Sequence, residues 1–450
     1  MKYFGTDGIR GIADDFITEE FAFKIARAGA IVLTKHVKNG SKPKILIGRD
    51  TRISGSKIEK AMTKGFLSFG AQVESAGVIP TPGIAYLTKK YNLDMGVVIS
   101  ASHNSYEYNG IKFFSNEGIK IPDEIEEEIE EYIDCEYSVE NINYNNDNLI
   151  LRKDYVESYV KFIIDIFKDD FSKLNKRDFI VGIDTANGAT YEVAEKIFKE
   201  LGIRYKILFN NPDGININKE CGSTHVENLE KAVIKEKLSI GIAYDGDGDR
   251  CITVNEEGKE VNGDIILALI AEYLKKNNKL EDNKLIATVM SNLGLKKFAQ
   301  KEGFKFIQTK VGDRYILEEM LKNGGNFGGE QSGHIIIADY NLTGDGIATS
   351  LLIIKILLNS IKKFSEICKI ITIYPQVLVN VRVKKFDINE FPEIKQKISQ
   401  VEKELAEDGR VLIRKSGTEP LIRIMLEGKD EGFIKKAANE IAEIIKKKMS

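Results

Sequence analysis

The sequence predicts an α/β protein with three α/β domains that contain mixed, mostly parallel sheets, followed by a C-terminal α+β domain. The chain has 450 residues, too many for one hydrophobic core at roughly 100–200 residues per domain. Short β-branched runs alternate with helical patterns through the first three quarters of the chain, which is typical of sheets covered by helices on both faces. From about Pro375 this alternation changes to a pattern that indicates a smaller α+β domain.

The first domain is predicted to cover residues 1–148 and to end in the asparagine-rich linker NINYNNDN (141–148). Its predicted elements are, in order, a helix capped by Thr18 that ends near Gly40, the strand KILIGRD (44–50), a helix opened by a capping box of Ser56 and Glu59, the strand AQVESAG (71–77), a helix after Pro82, and the strand MGVVISAS, which ends at Ser102. The segment NGIKFF (109–114) then forms a hairpin with a turn at SNEG (115–118).

The other predicted domains cover residues 149–253, 254–372 and 373–450. Their elements are, in order, the strands FIVGID (179–184), YKILFN (205–210) and SIGIAYD (239–245), then LIATVM (285–290), KFIQTKV (305–311) and NFGGEQSGHIIIA (326–338), then VLVNVRV (377–383), a helix at 390–408, VLIRKS (411–416), LIRIMLEG (421–428) and a terminal helix. The apolar run IATSLLIIKILL (347–358) is too short to span a bilayer and indicates a buried helix.

The composition favours a soluble cytoplasmic protein. Hydrophobic residues make up 42% of the chain and charged residues 30%, so intrinsic disorder is disfavoured. The formal net charge of −3 gives no general attraction to nucleic acid or to anionic lipid, so we expect neither as a partner. The four cysteines stand far apart and form no CxxC pair, which fits a reducing compartment. The N-terminus has no apolar run of the signal-peptide type.

The segment DGDGDR (245–250) carries the clearest chemical signal. Asp245, Asp247 and Asp249 follow an apolar strand at alternate positions, and the glycines between them let the backbone fold around a point. Such a set of hard oxygen ligands suits Mg²⁺. An EF-hand loop is disfavoured because Arg250 stands where that loop requires glycine. An acidic surface turn is the other alternative, but three neighbouring carboxylates repel one another unless a cation joins them.

The segment ISASHN (99–104) places Ser102 and His103 at the end of another apolar strand. A serine hydroxyl needs a base or a metal to become a useful nucleophile. No nucleophile-elbow motif surrounds Ser102, so acyl transfer is poorly supported. Taken alone, the segment is equally consistent with an ordinary polar turn. Lys112 follows shortly afterwards in NGIKFF.

Two further segments suit a phosphorylated sugar. In GEQSGH (329–334), Glu330 and Ser332 offer acceptors and donors for sugar hydroxyls. The segment RKSGTEPLIR (414–423) sets hydroxyl and backbone N–H groups between two guanidinium groups, a composition that suits a phosphate dianion. Its candidate phosphate ligands are Arg414, Ser416, Gly417, Thr418 and Arg423. Each segment alone is also consistent with a polar turn. The loops SASHN, DGDGDR and GGEQSGH each follow a strand of one α/β unit, and open α/β sheets bind ligands at the carboxyl ends of their strands.

Together these segments resemble the α-D-phosphohexomutase superfamily, and most of all its glucosamine branch. The similarity runs through the whole chain in the order FGTDGIRG (4–11), TPG (81–83), SASHN (100–104), NGIKFF, DGDGDR, VGDRY (311–315), GEQSGH and RKSGTEPLIR. Gln331 matches the glucosamine branch, whereas members that act on glucose or mannose phosphates usually carry methionine in that loop. Ser105 stands where the superfamily usually has proline, which would fix φ and stiffen the loop.

The resemblance implies four domains around a central cleft, each contributing one loop. It implies that Ser102 is phosphorylated and that one Mg²⁺ per active site is held by Ser102, Asp245, Asp247 and Asp249. Glu330 and Ser332 would contact the sugar, and the arginine segment would bind its non-reacting phosphate. The charged positions implied to line the reactive centre are Arg10, His103, Lys112 and Arg250.

The implied activity interconverts glucosamine 6-phosphate and glucosamine 1-phosphate through a phosphoserine and a 1,6-bisphosphate. A bisphosphorylated hexosamine or hexose would prime the enzyme, and members of the superfamily are often homodimers. The residue that relays the proton stays open among Lys112, His103 and Arg10, the arginine being the least suited because it remains protonated. The competing hypotheses are a glucose or mannose phosphate mutase, a metal-dependent phosphatase and a non-catalytic sugar-phosphate sensor.

Overall fold

The computed structural model describes residues 1–5, 7–38, 40–135, 149–173, 178–383, 391–415 and 421–449. The chain divides into two units. The first unit consists of Met1–Met290 and Phe304–Ile370, and the second of Ser291–Gly303 and Ile371–Ser450. The predicted linker at 141–148 lies outside the described residues.

The strands of the described residues are β1 (Phe4–Gly5), β2 (Gly8–Ile12), β3 (Lys44–Arg49), β4 (Gln72–Val78), β5 (Met95–Ile99), β6 (Tyr108–Ser115), β7 (Leu149–Leu151), β8 (Ile180–Asp184), β9 (Arg204–Leu208), β10 (Ile240–Tyr244), β11 (Cys251–Val254), β12 (Glu260–Val261), β13 (Lys284–Thr288), β14 (Lys305–Thr309), β15 (Phe327–Gly329), β16 (Ile335–Ile337), β17 (Gln376–Arg382), β18 (Gly409–Lys415) and β19 (Leu421–Gly428).

The helices of the described residues are α1 (Glu19–Leu33), α2 (Gly55–Ser68), α3 (Thr81–Lys90), α4 (Asp123–Ile133), α5 (Lys153–Lys173), α6 (Tyr191–Glu200), α7 (Glu227–Glu236), α8 (Gly263–Lys276), α9 (Leu293–Glu302), α10 (Asp313–Asn323), α11 (Gly346–Leu358), α12 (Phe364–Ile367), α13 (Pro392–Leu405) and α14 (Glu431–Met449). No helix among them is both long enough and apolar enough to cross a membrane.

The predicted fold class is confirmed. The first unit contains three mixed sheets, with strand orders β1-β2-β6-β5-β3-β4-β7, β12-β11-β10-β8-β9 and β14-β13-β15-β16. Helices accompany each of these sheets, as expected for α/β architecture. The second unit contains the antiparallel sheet β17-β19-β18 together with α9, α13 and α14.

Two inner strands of the first unit position the candidate site. Every residue of β5 (MGVVI) and of β10 (IGIAY) is buried, because each strand has neighbours on both sides and apolar residues facing both layers of helices. Their carboxyl ends carry the two loops that the sequence singled out, residues 100–105 and 245–250. We call these the serine loop and the aspartate loop.

Several predicted boundaries are wrong. Helix α1 is capped by Thr18 as predicted but ends at Leu33 rather than near Gly40. The Thr34 hydroxyl donates to the carbonyl of Ala30 at 2.7 Å, a local bond that competes with helix continuation.

The capping box of Ser56 and Glu59 is also wrong. Helix α2 begins at Gly55, so Ser56 already lies inside it. Glu59 is buried and accepts hydrogen bonds from Arg49 and Ser75 instead of bonding back to the helix start. The tertiary contact therefore overrides the local pattern.

Two strands are shorter than predicted. The strand before Ser102 ends at Ile99, and the single strand predicted at 326–338 is a hairpin of β15 and β16. The buried helix predicted at 347–358 is confirmed as α11, which covers Gly346–Leu358. NGIKFF lies on β6 as predicted.

Candidate active site

Ser102 lies in a strained turn just beyond β5. Its backbone φ of +53° falls in the left-handed region, which costs a non-glycine residue about 1–3 kcal/mol. The residue is 1% exposed. A strained, buried serine of this kind persists only where its surroundings hold it in place.

The Ser102 hydroxyl points to the aspartate loop. Its Oγ donates a hydrogen bond to Asp245 Oδ2 at 2.6 Å, and His103 Nδ1 lies 3.3 Å from the same Oγ. The two loops that the sequence placed in different domains therefore meet at one point.

The aspartate loop joins the antiparallel strands β10 and β11. Ligand oxygens of Asp245, Asp247 and Asp249 lie within 4.8 Å of one another, and all three residues are buried. Gly246 is required for the close approach of the loops, because a Cβ there would lie 2.5 Å from the Ser102 carbonyl oxygen. The spacing of acids and glycines thus gathers three carboxylates beside the serine.

Lys112 on β6 supplies the nearest positive charge to this cluster. Its Nζ lies 2.9 Å from Asp247 Oδ2, 3.5 Å from Asp249 Oδ2 and 3.0 Å from Asp7 Oδ2. Burial alone would lower the pKa of Lys112, but these carboxylates raise it above its ordinary value. The side chain is therefore a fixed cation.

The three aspartates respond differently to their surroundings. Burial raises the pKa of Asp249, but Lys112 and His334 overcome that effect and hold it well below its usual range. Burial and the negative charges of Asp249 and Asp247 raise the pKa of Asp245 well above its usual range. At Asp245, the neighbouring cations therefore do not fully compensate the negative charge of the cluster.

The donor set fits a hard divalent cation. Asp247 Oδ1 is buried and has no hydrogen-bond partner among the described residues, while Oδ2 of the same carboxylate accepts bonds from Thr81 and Lys112. Carboxylate oxygens are the ligands that Mg²⁺ prefers. The three aspartates could therefore hold a metal ion at this point.

His103 is held in its neutral form. Burial and the positive charges of Arg250 and Arg10 outweigh the opposing effect of Asp247 and Asp249, and together they lower the pKa of His103 to about 4. A neutral imidazole beside a serine hydroxyl can accept a proton.

The two predicted arginines border the same cluster. Arg10 lies on β2 and forms an ion pair with Asp7, which also accepts from Lys112. The backbone N–H of Arg250 donates to Asp245 Oδ1 at 3.1 Å. Arg10 is therefore linked to the aspartate cluster indirectly, through Asp7 and Lys112. Arg250 contacts it through its backbone N–H.

Sequence reasoning missed a second row of charged residues behind the aspartates. His334 lies with Nδ1 3.5 Å from Asp249 Oδ1 and with Nε2 3.0 Å from Asp313 Oδ2. Lys120 then bridges Asp313 at 2.6 Å and Asp7 at 2.8 Å. Burial lowers the pKa of His334, but Asp313 and Asp249 raise it to about 10. The motifs FGTDGIRG, VGDRY and GEQSGH contain Asp7, Asp313 and His334, but their letters alone did not assign these contacts.

Glu330 and Ser332 lie in the turn between β15 and β16. Glu330 Oε1 accepts from the backbone N–H of Gly312 at 3.1 Å. The pKa of Glu330 is raised above its ordinary value. Burial is the main cause and Asp313 adds to it, whereas the positive charges of His334 and Arg250 oppose it. The Ser332 hydroxyl is buried and has no hydrogen-bond partner among the described residues. The turn lies beside the aspartate loop, because His334 pairs with Arg250 in an isolated antiparallel bridge and the Glu330 N–H donates to the His334 carbonyl at 2.9 Å.

The second unit contains the two predicted arginines of the phosphate segment. Arg414 on β18 and Arg423 on β19 are directly opposite each other in the antiparallel register. Opposite residues of neighbouring strands share one face of a sheet, so two positive charges are placed side by side. The predicted ligands Ser416, Gly417 and Thr418 lie outside the described residues.

Comparison with known proteins identifies the family. Four segments match models of phosphoglucomutase/phosphomannomutase: the alpha/beta/alpha domains I, II and III at residues 1–140, 154–258 and 262–374, and the C-terminal domain at residues 378–444. A phosphoglucosamine mutase of Clostridioides difficile (strain 630) is 50% identical over 458 residues, covering 100% of both chains. A phosphoglucosamine mutase of Acetivibrio thermocellus is 49% identical, covering 100% of this chain and 99% of the relative.

Solved structures show the same fold at lower identity. A putative phosphomannomutase from Thermus thermophilus superposes with a TM-score of 0.79 at 21% identity, covering 98% of each chain. Aspergillus fumigatus N-acetylphosphoglucosamine mutase, solved in complex with GlcNAc-6P and magnesium, superposes with a TM-score of 0.71 at 17% identity, covering 100% of this chain and 96% of the other. Since the four family segments together account for most of its length, the chain belongs to the phosphoglucomutase/phosphomannomutase family.

Proposed function

We propose that this protein is a phosphoglucosamine mutase, which interconverts glucosamine 6-phosphate and glucosamine 1-phosphate. Relatives of that name are 48–50% identical over the whole chain. The structural observation that carries the proposal is the 2.6 Å contact between the Ser102 hydroxyl and Asp245, inside a cluster of three acids. A nucleophile beside a cation site is what phosphoryl transfer needs.

The reaction begins from phospho-Ser102. The 1-hydroxyl of glucosamine 6-phosphate attacks phosphorus, a new P–O bond forms, and the bond from phosphorus to Ser102 Oγ breaks. The hydroxyl proton passes to a protein base, and Ser102 Oγ takes up a proton as it leaves. The resulting 1,6-bisphosphate reorients, Ser102 Oγ attacks its 6-phosphoryl group and gives up its proton, the 6-oxygen takes up a proton as its bond to phosphorus breaks, and glucosamine 1-phosphate leaves. Each turnover thus regenerates the phosphoserine.

The charged residues would stabilise the transferring group. Asp245, Asp247 and Asp249, with an oxygen on Ser102, would hold one Mg²⁺, which supplies Lewis-acid stabilisation of the equatorial phosphoryl oxygens when bound. Lys112, Arg10 and Arg250 add positive charge around the same point.

We assign the proton relay to His103 among the three candidates. Its Nδ1 lies 3.3 Å from Ser102 Oγ, where the bond to phosphorus is made and broken. Lys112 is engaged as a donor to Asp247, and the Arg10 guanidinium pairs with Asp7. Replacing His103 by glutamine should lower kcat by about 10²–10⁴-fold. A kcat in His103→Gln within about twofold of wild type would contradict this role for His103.

The remaining assignments follow the sequence prediction. We propose that Glu330 and Ser332 contact the sugar and that the arginine segment binds the distal phosphate. A bisphosphorylated hexosamine or hexose would prime the enzyme. We propose four domains at 1–148, 149–253, 254–372 and 373–450, a cytoplasmic location, a homodimer, and a role in supplying UDP-N-acetylglucosamine synthesis. Size-exclusion chromatography with light scattering tests the dimer.

Substrate comparison tests the proposed activity. We expect kcat/KM to be highest for glucosamine 6-phosphate when it is compared with glucose and mannose 6-phosphates. A clear preference for mannose 6-phosphate would contradict the glucosamine assignment. Steady release of inorganic phosphate without a 1-phosphate product would instead indicate a phosphatase. Intact-mass spectrometry with peptide mapping, after incubation with glucosamine 1,6-bisphosphate, should show one added phosphate at Ser102.

A further inference from the structure

We propose that Arg52 and Asn218 are positioning residues that hold the serine loop in its strained conformation; this role rests on the proposed function of Ser102. Neither residue was singled out by the sequence. Both are buried, with exposures of 1% and 7%. Together they form a clamp on the backbone carbonyl groups of the serine loop, which we call the carbonyl clamp.

The centre of the clamp is a square of four hydrogen bonds. Arg52 Nη2 donates to the carbonyl oxygens of Ser102 at 3.0 Å and of Asn104 at 2.8 Å. Asn218 Nδ2 donates to the same two oxygens, at 2.8 Å each. Each oxygen therefore accepts two bonds, which fills both of its lone pairs, and each nitrogen uses both of its hydrogens.

The other nitrogen of the same guanidinium extends the clamp along the loop. Arg52 Nη1 donates to the carbonyl oxygens of Ser105 and Tyr108. A planar guanidinium presents its donors in a rigid fork, so these carbonyls are fixed relative to one another. The loop therefore gains from hydrogen bonds the stiffness that its sequence, with serine at position 105, does not supply through proline.

The N–H side of Ser102 is held by the same group of residues. Asp50 pairs with Arg52 at 2.8 Å and accepts from the Ser100 hydroxyl at 2.7 Å. Ser100 Oγ in turn accepts from the Ser102 N–H at 2.9 Å. Both peptide groups of Ser102 are thus anchored, and the buried charge of Arg52 is compensated by Asp50.

Asn218 connects this loop to the aspartate loop. It has a left-handed φ of +58°, and its backbone N–H donates to the Ala186 carbonyl at 2.9 Å. A Cβ at Gly246 would lie 2.9 Å from Asn218 Nδ2 and 2.5 Å from the Ser102 carbonyl oxygen. The aspartate loop therefore packs directly on the clamp, which sets the separation of Ser102 from Asp245.

Replacing Asn218 by aspartate tests the clamp. Aspartate keeps the size of the side chain and tolerates the left-handed backbone, but it has no N–H to donate. Because a displacement of about 1 Å can cost 10²-fold in rate, we expect kcat to fall about 100-fold. KM for glucosamine 6-phosphate should change less than about threefold, since lost positioning in the transition state acts on kcat.

Two further variants separate positioning from charge and from general damage. Asn218→Gly loses the same donors without adding a charge and suits the positive φ, so its kcat should fall similarly. Asn187→Asp is the matched control, because Asn187 has a φ of +47° and is 6% exposed, yet its side chain bonds within the segment 211–216. Its kcat should stay within about twofold of wild type.

Single-turnover phosphorylation gives the decisive readout. The rate of phosphate transfer from glucosamine 1,6-bisphosphate to Ser102, followed by mass spectrometry, should fall with kcat in both Asn218 variants. Wild-type rates in Asn218→Gly, or an equal loss in Asn187→Asp, would overturn the clamp. Arg52→Lys, which keeps the charge beside Asp50 but loses the fork, should show the same loss.

The same assay distinguishes failure of the clamp from failure of the proposed function. A wild-type protein that is phosphorylated at Ser102 but yields no 1-phosphate product would contradict the mutase. Even in that case, phosphorylation of Ser102 that is slower in the Asn218 variants than in the wild type would still support the clamp.

Discussion

The serine loop and the aspartate loop both follow fully buried strands, yet only the aspartate loop gathers a cluster of buried carboxylates. The serine loop is fixed through its backbone carbonyls, by donors from Arg52 and Asn218. The backbone carbonyls of the aspartate loop also accept hydrogen bonds, from the N–H groups of Thr81, Ala189 and Gly346, but this loop in addition gathers three buried carboxylates, with Lys112 as the nearest cation. The first loop is therefore complete as the protein chain builds it, whereas the second requires positive charge to bring its carboxylates together.

The largest effect should come from removing the nucleophile. Ser102→Ala deletes the one atom of the serine loop that reacts, so kcat should fall by at least about 10⁴-fold in a coupled assay of glucosamine 6-phosphate conversion. Because the clamp binds only the backbone, the loop and its binding of substrate should survive. Ser56→Ala, in helix α2, is the control and should keep wild-type activity. Measurable phosphate incorporation in Ser102→Ala would show that another residue is the acceptor.

Removing the metal should affect the aspartate loop and spare the serine loop. Chelation should lower kcat about 10³-fold through lost Lewis-acid stabilisation, and added Mg²⁺ should restore it. Asp247→Asn should raise the Mg²⁺ concentration needed for half-maximal activity by at least about 100-fold. Calorimetric titration of Mg²⁺ checks the affinity directly. Full activity after thorough chelation would show that the aspartate loop needs no metal ion for catalysis.

Removing the nearest protein cation tests the same difference through stability. Lys112→Met keeps the length of the side chain but leaves buried carboxylates without their partner, which typically costs about 3–5 kcal/mol. Denaturant unfolding without divalent ions should show this loss. Saturating Mg²⁺ should recover more stability in the variant than it adds to wild type, because it replaces the missing charge.

An exposed lysine provides the control for that measurement. Lys168 pairs with Asp165 on the surface of α5, and its side chain is 54% exposed. Lys168→Met should therefore change the free energy of unfolding by less than about 0.5 kcal/mol. Equal stabilisation of wild type and Lys112→Met by Mg²⁺ would mean that Lys112 does not compensate the aspartates.

The residues that the sequence predicted are those whose signal is local. Asp245, Asp247 and Asp249 form a pattern within five positions, and the buried strand before them is a continuous apolar run. The local signal at Ser102 is weaker, because polar residues after an apolar strand are also typical of an ordinary turn. Local spacing was thus sufficient to find the candidate metal ligands, whereas Ser102 became the candidate nucleophile only through the resemblance of the whole set of segments; the fold brings both together.

The supporting residues could not be predicted because their partners are distant in the chain. Arg52 and Asn218 meet only where the segments after β3 and after β9 converge on the serine loop, and nothing in either neighbourhood marks that meeting. Asp313 and His334 likewise find Lys120 and Asp249 only in three dimensions. At Glu59 the local pattern was misleading. The spacing from Ser56 fits a capping box, but the Glu59 carboxylate accepts hydrogen bonds from the distant residues Arg49 and Ser75 instead.

The arginine pair of the second unit repeats the situation of the aspartate loop with the sign reversed. Arg414 and Arg423 are opposite each other in the sheet, which places two guanidinium groups where both can bind one anion. If a substrate phosphate supplies that anion, Arg423→Gln removes a charge-assisted hydrogen bond worth about 1.5–3 kcal/mol. KM for glucosamine 6-phosphate should then rise about 10–100-fold while kcat changes little.

A neighbouring arginine on the same sheet shows whether that effect is specific. Arg382 at the end of β17 is exposed and faces Leu421 in the register, so it has no arginine opposite it. Arg382→Gln should leave KM within about twofold of wild type. Arg423→Lys keeps the charge but loses the fork, so it should fall between the two. If both glutamine variants raised KM equally, the general positive charge of the unit rather than the paired guanidinium groups would attract the phosphate.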